Sequence, residues 1–312
     1  MRVLITGGCG FIGSHLSGAL LRRGDDVVCI DNFDPYYAKE VKMRNLALLR
    51  KEKRFAFEEM DVRDAGVCKL MKEHSIERVV HLAARAGVRP SLALPFVYEE
   101  INVKGTLNML EAAAANNIGN FIFISSSSVY GNCPTTPWKE EYEPLPASPY
   151  GASKLAGEAY VRTYSELYGL ATSCLRYFSI YGPRQRPDLA LVKFTDSIMK
   201  GKQIEMFGDG TTMRDYTYVS DAVDGTISAL DKKFKYEVFN IGNSDPVQLK
   251  RLINILEQKL KRKAAIRQLP EQKGDLKNTY ADISKARKML GYSPKVKIEE
   301  GIGNYLDWLQ KK

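Results

Sequence analysis

The sequence predicts an α/β fold, a doubly wound parallel sheet followed by a smaller, mixed α/β C-terminal lobe. Three observations carry this reading. Through about residue 176, short β-branched runs alternate with longer amphipathic segments, the order of a βαβ chain. The short runs are too apolar to face water on either side, so helices must cover both faces of the sheet. After Tyr177 the regular alternation gives way to loop-rich stretches and shorter elements. With 312 residues, 44% hydrophobic and 27% charged, the chain has a globular composition and the length of two domains.

Taken in order, the expected strands are RVLIT (2–6), DVVCI (26–30), FAFEEM (55–60), RVVHLA (78–83), NFIFIS (120–125) and ATSCLR (171–176), with helices between them. Right-handed crossovers turn that order into a doubly wound sheet. Beyond it, GPRQRPD (182–188) and FGDGTTMRD (207–215) read as loops. SDAVDGTISAL (220–230) reads as a helix capped by Ser220 or Asp221. QLKRLINILEQKL (248–260) carries apolar residues at helical spacing. The expected division is a first domain over 1–178, with 212–242 returning to it, and a second lobe formed mainly by 179–312. The two pack over a shared cleft.

Several function classes are excluded by composition. No apolar run approaches the roughly 18 residues of a spanning helix, and Met1 leads directly into RVLIT without a secretory h-region, so a cytoplasmic protein is expected. The five cysteines are far apart and form no CxxC pair, and the three histidines lack ligand spacing, so neither a disulfide framework nor a metal site is expected. Lys and Arg number 46 against 37 Asp and Glu, a formal charge of +9 that suits an anionic ligand. The basic residues spread over 39–54 and 250–312 without interleaved aromatics or a reader motif, so nucleic acid is not the expected partner.

The first strand runs into Gly7-Gly8-Cys9-Gly10-Phe11-Ile12-Gly13, and an amphipathic helix follows at once. A GxGxxG run in that setting is a dinucleotide signature: glycines let the backbone turn and approach a pyrophosphate, which the helix N-terminus then holds. Asp31 ends the second strand, where an acid would take the adenosine ribose and repel a 2′-phosphate. Asn32 and Phe33 follow, with no arginine, which favours NAD over NADP. Asp61-Val62 and Leu82-Ala83-Ala84 lie at the carboxyl ends of the third and fourth strands, the rim where open sheets bind ligands.

The fifth strand ends in Ser125-Ser126-Ser127-Ser128-Val129-Tyr130-Gly131, and downstream lies Tyr150-Gly151-Ala152-Ser153-Lys154. Residues four apart share a helix face, so Tyr150 and Lys154 can point together at the strand ends. A cation beside a phenol stabilises the phenolate and makes a usable base.

These segments, TGGCGFIG, HLAA, NVKGTLNMLEA (102–112), SSSSVYG, YGASK and RYFSIYGP, resemble the extended short-chain dehydrogenase/reductases in order and across almost the whole chain. The resemblance implies a Rossmann domain with tightly bound NAD and a C-terminal lobe for a nucleotide sugar. It implies Tyr150 as acid/base, Lys154 bridging the tyrosine and the nicotinamide ribose, and Ser126 as the hydroxyl that partners the reacting oxygen. Phe11, Ile12, Asn102, Ser125 and Tyr177 fall at family positions beside the cofactor, and Arg214, in MRDYTYVSD, at that of an arginine for the diphosphate. A homodimer is implied, paired through helices near 94–117 and 150–168.

Within the family, HLAARAGVRPS (81–91), SIYGPRQRPDLA (179–190) and the acid-free serine run resemble UDP-glucuronate 4-epimerases. Related 4,6-dehydratases place Asp and Glu where this chain has Ser127 and Ser128, and related decarboxylases place Glu in the second position. Serine hydroxyls there leave a 4-keto sugar no acid/base to carry it onward and can instead donate to a sugar carboxylate, with Arg186 as a charge-assisted partner. Arg85 and Arg89 add positive field or serve the structure. The expectation is an NAD-dependent 4-epimerase of UDP-glucuronate and UDP-galacturonate. A UDP-glucose or UDP-N-acetylglucosamine epimerase, a decarboxylase or dehydratase, and a non-catalytic NAD sensor stand as alternatives. Two positions depart from relatives: Ser179 stands where many have Asn, and Gln272 where galactose epimerases carry an arginine before Gly274-Asp275. Asp275 is expected at the uridine ribose.

Overall fold

In the computed structural model, which describes residues 1–271 and 276–311, the first six expected strands form, within one or two residues of the expected bounds. They are β1 (Arg2–Thr6), β2 (Asp26–Asp31), β3 (Phe55–Glu59), β4 (Arg78–His81), β5 (Asn120–Ser126) and β6 (Thr172–Tyr177). The helices between them are α1 (Phe11–Arg23), α2 (Lys39–Leu49), α3 (Gly66–Glu73), the short α4 (Val88–Ala93) and α5 (Pro95–Tyr98), α6 (Gly105–Ala115) and α7 (Pro149–Tyr168). A π-helical turn over Glu99–Lys104 joins α5 to α6.

Further along lie β7 (Ile180–Tyr181), α8 (Ala190–Met199), β8 (Gln203–Phe207), β9 (Met213–Asp215), β10 (Thr217–Tyr218), α9 (Val219–Asp231) and β11 (Tyr236–Ile241). The chain continues through β12 (Pro246–Gln248), α10 (Leu249–Leu260), β13 (Ala265–Leu269), α11 (Ser284–Leu290) and α12 (Ile298–Gln310). The main sheet is parallel with order β11-β6-β5-β4-β1-β2-β3. β11 comes from the expected returning segment and pairs with β6 in register, Tyr236 opposite Thr172 and Ile241 opposite Tyr177.

Strand alternation explains why helices cover both faces. Val3, Ile5, Val27, Cys29, Ile122 and Leu175 point into one core, with α1 and α9, while Leu4, Val28, Ile30, Phe121, Phe123 and Cys174 point into the other, with α3, α6 and α7. Both faces of these strands are buried, so the strands read as unbroken apolar runs. The strand order reverses direction between β1 and β4, and that crevice is where ligands of open sheets bind. Outside the main sheet, the described residues form three two-stranded pairs, β10-β7, β12-β9 and β13-β8, followed or flanked in the chain by α8, α10 and α12.

One capping expectation is corrected. Helix α9 begins at Val219, after Tyr218, without a side-chain cap. Ser220 and Asp221 lie inside its first turn, where Asp221 faces the negative charge-favouring end of the helix dipole and accepts from Val296 N at 3.1 Å. β10 runs straight into the helix, which leaves no loop position for a capping side chain. Helix α7, by contrast, is fully terminated: the Ser148 hydroxyl accepts from Gly151 N at 3.1 Å, Pro149 takes the first position, and Gly169 closes it at φ +68°. Among the described residues no helix is long and apolar enough to cross a membrane.

Candidate active site

One cleft of about 1180 Å³ runs from the β1–α1 turn, past the strand ends, to the C-terminal lobe. At its first end the chain turns at Gly7, held at φ +68°, so that a side chain there would be strained. A Cβ at Gly13 would stand 2.9 Å from Gly8 Cα, and one at Gly10 would stand 3.1 Å from Gly7 O. Glycine is therefore required for the turn to close against α1. Gly8 serves a different purpose: a Cβ there would press on Cys29 Cβ of β2 at 2.7 Å, so it packs the turn onto the sheet. Helix α1 starts at Phe11 with no side-chain cap and no acid in its first turn, which leaves its first amides and dipole for an anion.

Around this turn, Ile12, Asp31, Asn32, Asp61, Val62, Leu82, Ala83 and Ala84 line the cleft. The Asp31 carboxylate accepts from Lys42 Nζ at 3.0 Å and Phe33 N at 2.9 Å through the same oxygen, Oδ1, which leaves Oδ2 for a ligand. Lys42, buried in the same wall, carried no motif and escaped sequence reasoning. Asp61 is held by Arg63 and Asn32; the hydrogen bonds from Arg63 draw its pKa down to about 2.

Asn102, expected beside the cofactor, turns its side chain to the segment after β4. It is 2% exposed and clasps the backbone of Arg85, accepting from Arg85 N at 2.7 Å and donating to Arg85 O at 3.0 Å. The π-helical turn places it behind the segment after β4, which it holds in position. Ser125 and Tyr177 do line the cleft, but their hydroxyls are engaged behind it, Ser125 with Glu158 at 2.5 Å and Tyr177 with Thr226.

At the centre, α7 carries Tyr150 and Lys154 on one face, toward the end of β5. Lys154 Nζ donates to Ile124 O at 2.7 Å, and two further N–H directions remain. Burial depresses its pKa to about 7, against the raising influence of Glu158. Burial raises the Tyr150 pKa, while a hydrogen bond with Ser126 and the Arg186 charge oppose the rise. Ser126 caps the short turn over Ser127–Val129, accepting from Ser128 N at 3.1 Å. Ser126, Ser127 and Ser128 all reach the cleft beside Tyr150. Behind them, Arg176 and Glu158 form a buried bidentate pair at 3.0 and 2.7 Å.

On the far wall lie Arg89, Ser179, Arg186 and Arg214. Arg214 Nη1 donates to the carbonyls of Met213 and Lys277 at 2.9 and 3.2 Å, and the Arg89 guanidinium lies 4.6 Å over the Phe207 ring. Arg186 is held bidentately by Asp188, both bonds 3.0 Å. Arg85 also reaches the cleft, paired with Asp34. Asp275 and Gln272 fall outside the described residues.

Residues 4–305 match the family model described as GDP-mannose 4,6 dehydratase. The chain belongs to this family of extended short-chain dehydrogenase/reductases. This dehydrogenase/reductase chain is 41% identical over 309 residues to a UDP-glucuronate 4-epimerase of Thermodesulfobacterium geofontis, covering 98% of this chain and 95% of the relative. It superposes on the UDP-glucuronic acid 4-epimerase of Bacillus cereus, solved with UDP-glucuronic acid and NAD, with a TM-score of 0.95, 38% identity, and coverage of 100% and 99% of the two chains. A UDP-glucose 4-epimerase of Thermotoga maritima, solved with UDP-glucose, gives 0.92 and 33%, with coverage of 100% and 99%.

Proposed function

We propose that the protein interconverts UDP-glucuronate and UDP-galacturonate as an NAD-dependent 4-epimerase, through a 4-keto intermediate. The observation that carries this reading is the meeting, in one cleft, of a glycine cradle, the Ser126-Tyr150-Lys154 group and an arginine-bearing wall. The uronate epimerases among its relatives support it further.

The residues of the first wall fit NAD. A turn with Gly7 at positive φ and no room for a Cβ at Gly13 leaves backbone amides exposed to a pyrophosphate, and the open Oδ2 of Asp31 suits a ribose diol better than a 2′-phosphate. Gly7, Gly10, Phe11, Ile12 and Gly13 would hold the pyrophosphate, and Lys154 the nicotinamide ribose. When bound, NAD supplies a hydride acceptor at the sugar C4 and returns the hydride.

Tyr150 takes the proton of the sugar 4-hydroxyl and later gives it back. Ser126 donates to the same oxygen, and its hydrogen bond and the Arg186 charge favour the phenolate that burial would otherwise disfavour, with Lys154 adding to them in its protonated form. Ser127 and Ser128 present neutral hydroxyls, so no carboxyl group beside C5 promotes elimination of water. Arg186, with these serines, holds the sugar carboxylate, and Arg89 adds positive field. Arg214, Ser179 and Asp275 engage the nucleotide part, in a lobe formed mainly by 179–312.

The same reading makes the protein a cytoplasmic homodimer paired through the helices near 94–117 and 150–168. Phe96, 82% exposed, and the exposed Leu167 and Tyr168 support an apolar pairing surface there.

Deuterium at C4 tests the chemistry. UDP-glucuronate labelled at that carbon should yield UDP-galacturonate that keeps its label, without added nucleotide. Loss of the label to solvent, or dependence on added NADP, would overturn the proposal.

A further inference from the structure

Arg186 has an unusual support for a residue on the rim of a cleft. Its Nε and Nη2 atoms are both bound to Asp188, so one edge of the planar guanidinium is consumed and the edge formed around Nη1 remains for a ligand. Asp188 is itself held from the other half of the molecule. Tyr36, in the loop after β2, donates its hydroxyl to Asp188 Oδ2 at 3.3 Å, and its ring lies 5.4 Å from the Arg186 guanidinium. The Arg85 guanidinium also lies over this ring, at 4.6 Å. Residues 152 positions apart thus meet in one stack.

The Tyr36 loop is built to hold that place. Three side chains of the loop accept from the amide two residues on: Asp31 from Phe33, Asn32 from Asp34 and Asp34 from Tyr36, each at 2.9 Å. Such turns fix a loop locally. Gly87 faces the tyrosine hydroxyl with φ +104°, and a Cβ there would lie 2.7 Å from it, so the opposing segment leaves room for this one atom. The other end of the Arg186 segment is tied to α1, where the His15 ring meets Pro183 O at 2.8 Å and Arg184 donates to Ser14 at 3.3 Å.

We propose that Asp188 and Tyr36 are positioning residues that fix Arg186 in the orientation that reads a sugar carboxylate, and so set the preference for a uronate over a neutral hexose. This rests on the reading of Arg186 as the carboxylate contact. A free arginine loses substantial rotamer entropy when it grips a ligand, and one locked before binding does not. Because Asp188 offsets the charge of Arg186, the gain comes from direction rather than from bulk positive field. A neutral hydroxymethyl group gains nothing from that direction.

The test is the ratio of kcat/KM for UDP-glucuronate to that for UDP-glucose, in the holoenzyme and in Asp188→Asn, Asp188→Glu, Tyr36→Phe and Arg186→Leu. Asp188→Asn should lower the ratio about ten- to hundredfold, the scale of one charge-assisted hydrogen bond. Tyr36→Phe, which keeps the ring and removes one hydroxyl, should lower it by about two- to tenfold. Asp188→Glu should recover part of the loss. A purely structural role lowers both substrates together and leaves the ratio fixed, which would overturn the proposal. A ratio that rises in Asp188→Asn would also overturn it, since Asp188 would then compete with the substrate carboxylate. An unchanged ratio in Arg186→Leu would remove the underlying reading of Arg186, whereas a drop there with no change in the Asp188 and Tyr36 variants would reject this proposal alone.

Discussion

The two walls of the cleft are made in different ways. On the sheet side, the glycine turn and strand ends shape the site with backbone: Gly7 bends at φ +68°, α1 offers uncapped amides, and the strand order reverses between the paired β1 and β4, which places a crevice beyond their carboxyl ends. On the arginine side, backbone provides little of the shape. Arg186, Asp188, Tyr36 and Arg85 hold one another through side chains drawn from three separate segments. At Gly13 the backbone leaves no room for an added Cβ, while a side-chain network degrades by steps as partners are removed. The first wall suits a cofactor that stays, and the second a sugar that must enter, turn and leave.

Between the walls stands Tyr150, and its removal should produce the largest effect. Tyr150→Phe should lower turnover by about 10² to 10⁴ or more while NAD content, read by denaturing the protein and assaying released nucleotide, is kept. Loss of NAD in that variant would mean that the two walls are not separable at this residue.

Gly13→Ala tests the backbone wall. The new Cβ would meet Gly8 Cα at 2.9 Å, so the turn must open and the protein should purify with less than about a tenth of the wild-type nucleotide, a loss of order 1.4 kcal/mol or more in binding. Full NAD content would show that the cradle is more pliable than its packing implies. Arg186→Leu tests the other wall, with a drop of about ten- to hundredfold in kcat/KM for UDP-glucuronate relative to UDP-glucose and unchanged NAD content.

The smallest effect expected is a change in pH dependence at the tie between the walls. Burial lowers the His15 pKa to about 4, from an unfolded value near 6.5. As pH falls from 6.5 toward 4, the unfolded chain takes up a proton that the folded chain refuses, so stability is lost over that window and fully present above it. His81, lowered to about 3, acts in the same direction, while Asp215, raised to about 6, opposes both between pH 3.8 and 6. His15→Gln keeps a donor for Pro183 O and should flatten the fall of the urea midpoint between pH 6.5 and 4. An unaltered slope would remove His15 from the acid response.

The contrast also explains what could be read from the sequence. The sheet wall was legible because its signals are local: Gly7, Gly10 and Gly13 lie within seven residues, Asp31 ends the next strand, and Tyr150 and Lys154 are one helical turn apart. The strands were legible because burial on two faces leaves unbroken apolar runs. Arg186 could be picked out through its resemblance to relatives, but its anchor could not, since Tyr36 and Asp188 are brought together only by the fold. Lys42 was hidden for the same reason, as a single lysine on an amphipathic helix. Asn102 stood in a recognised motif, yet its amide turns to the Arg85 backbone, a choice made by the π-helical turn that carries it. Ser220 and Asp221 looked like caps because nothing local signals that β10 enters α9 without a loop.

The most direct test of the account is to give the purified protein, with no added nucleotide, UDP-glucuronate in one reaction and UDP-glucose in another, and to follow the products by NMR. UDP-galacturonate should form from the first at a kcat/KM well above that of the second, with the carboxylate retained. A preference for UDP-glucose, or release of carbon dioxide as the main outcome with UDP-glucuronate, would contradict it.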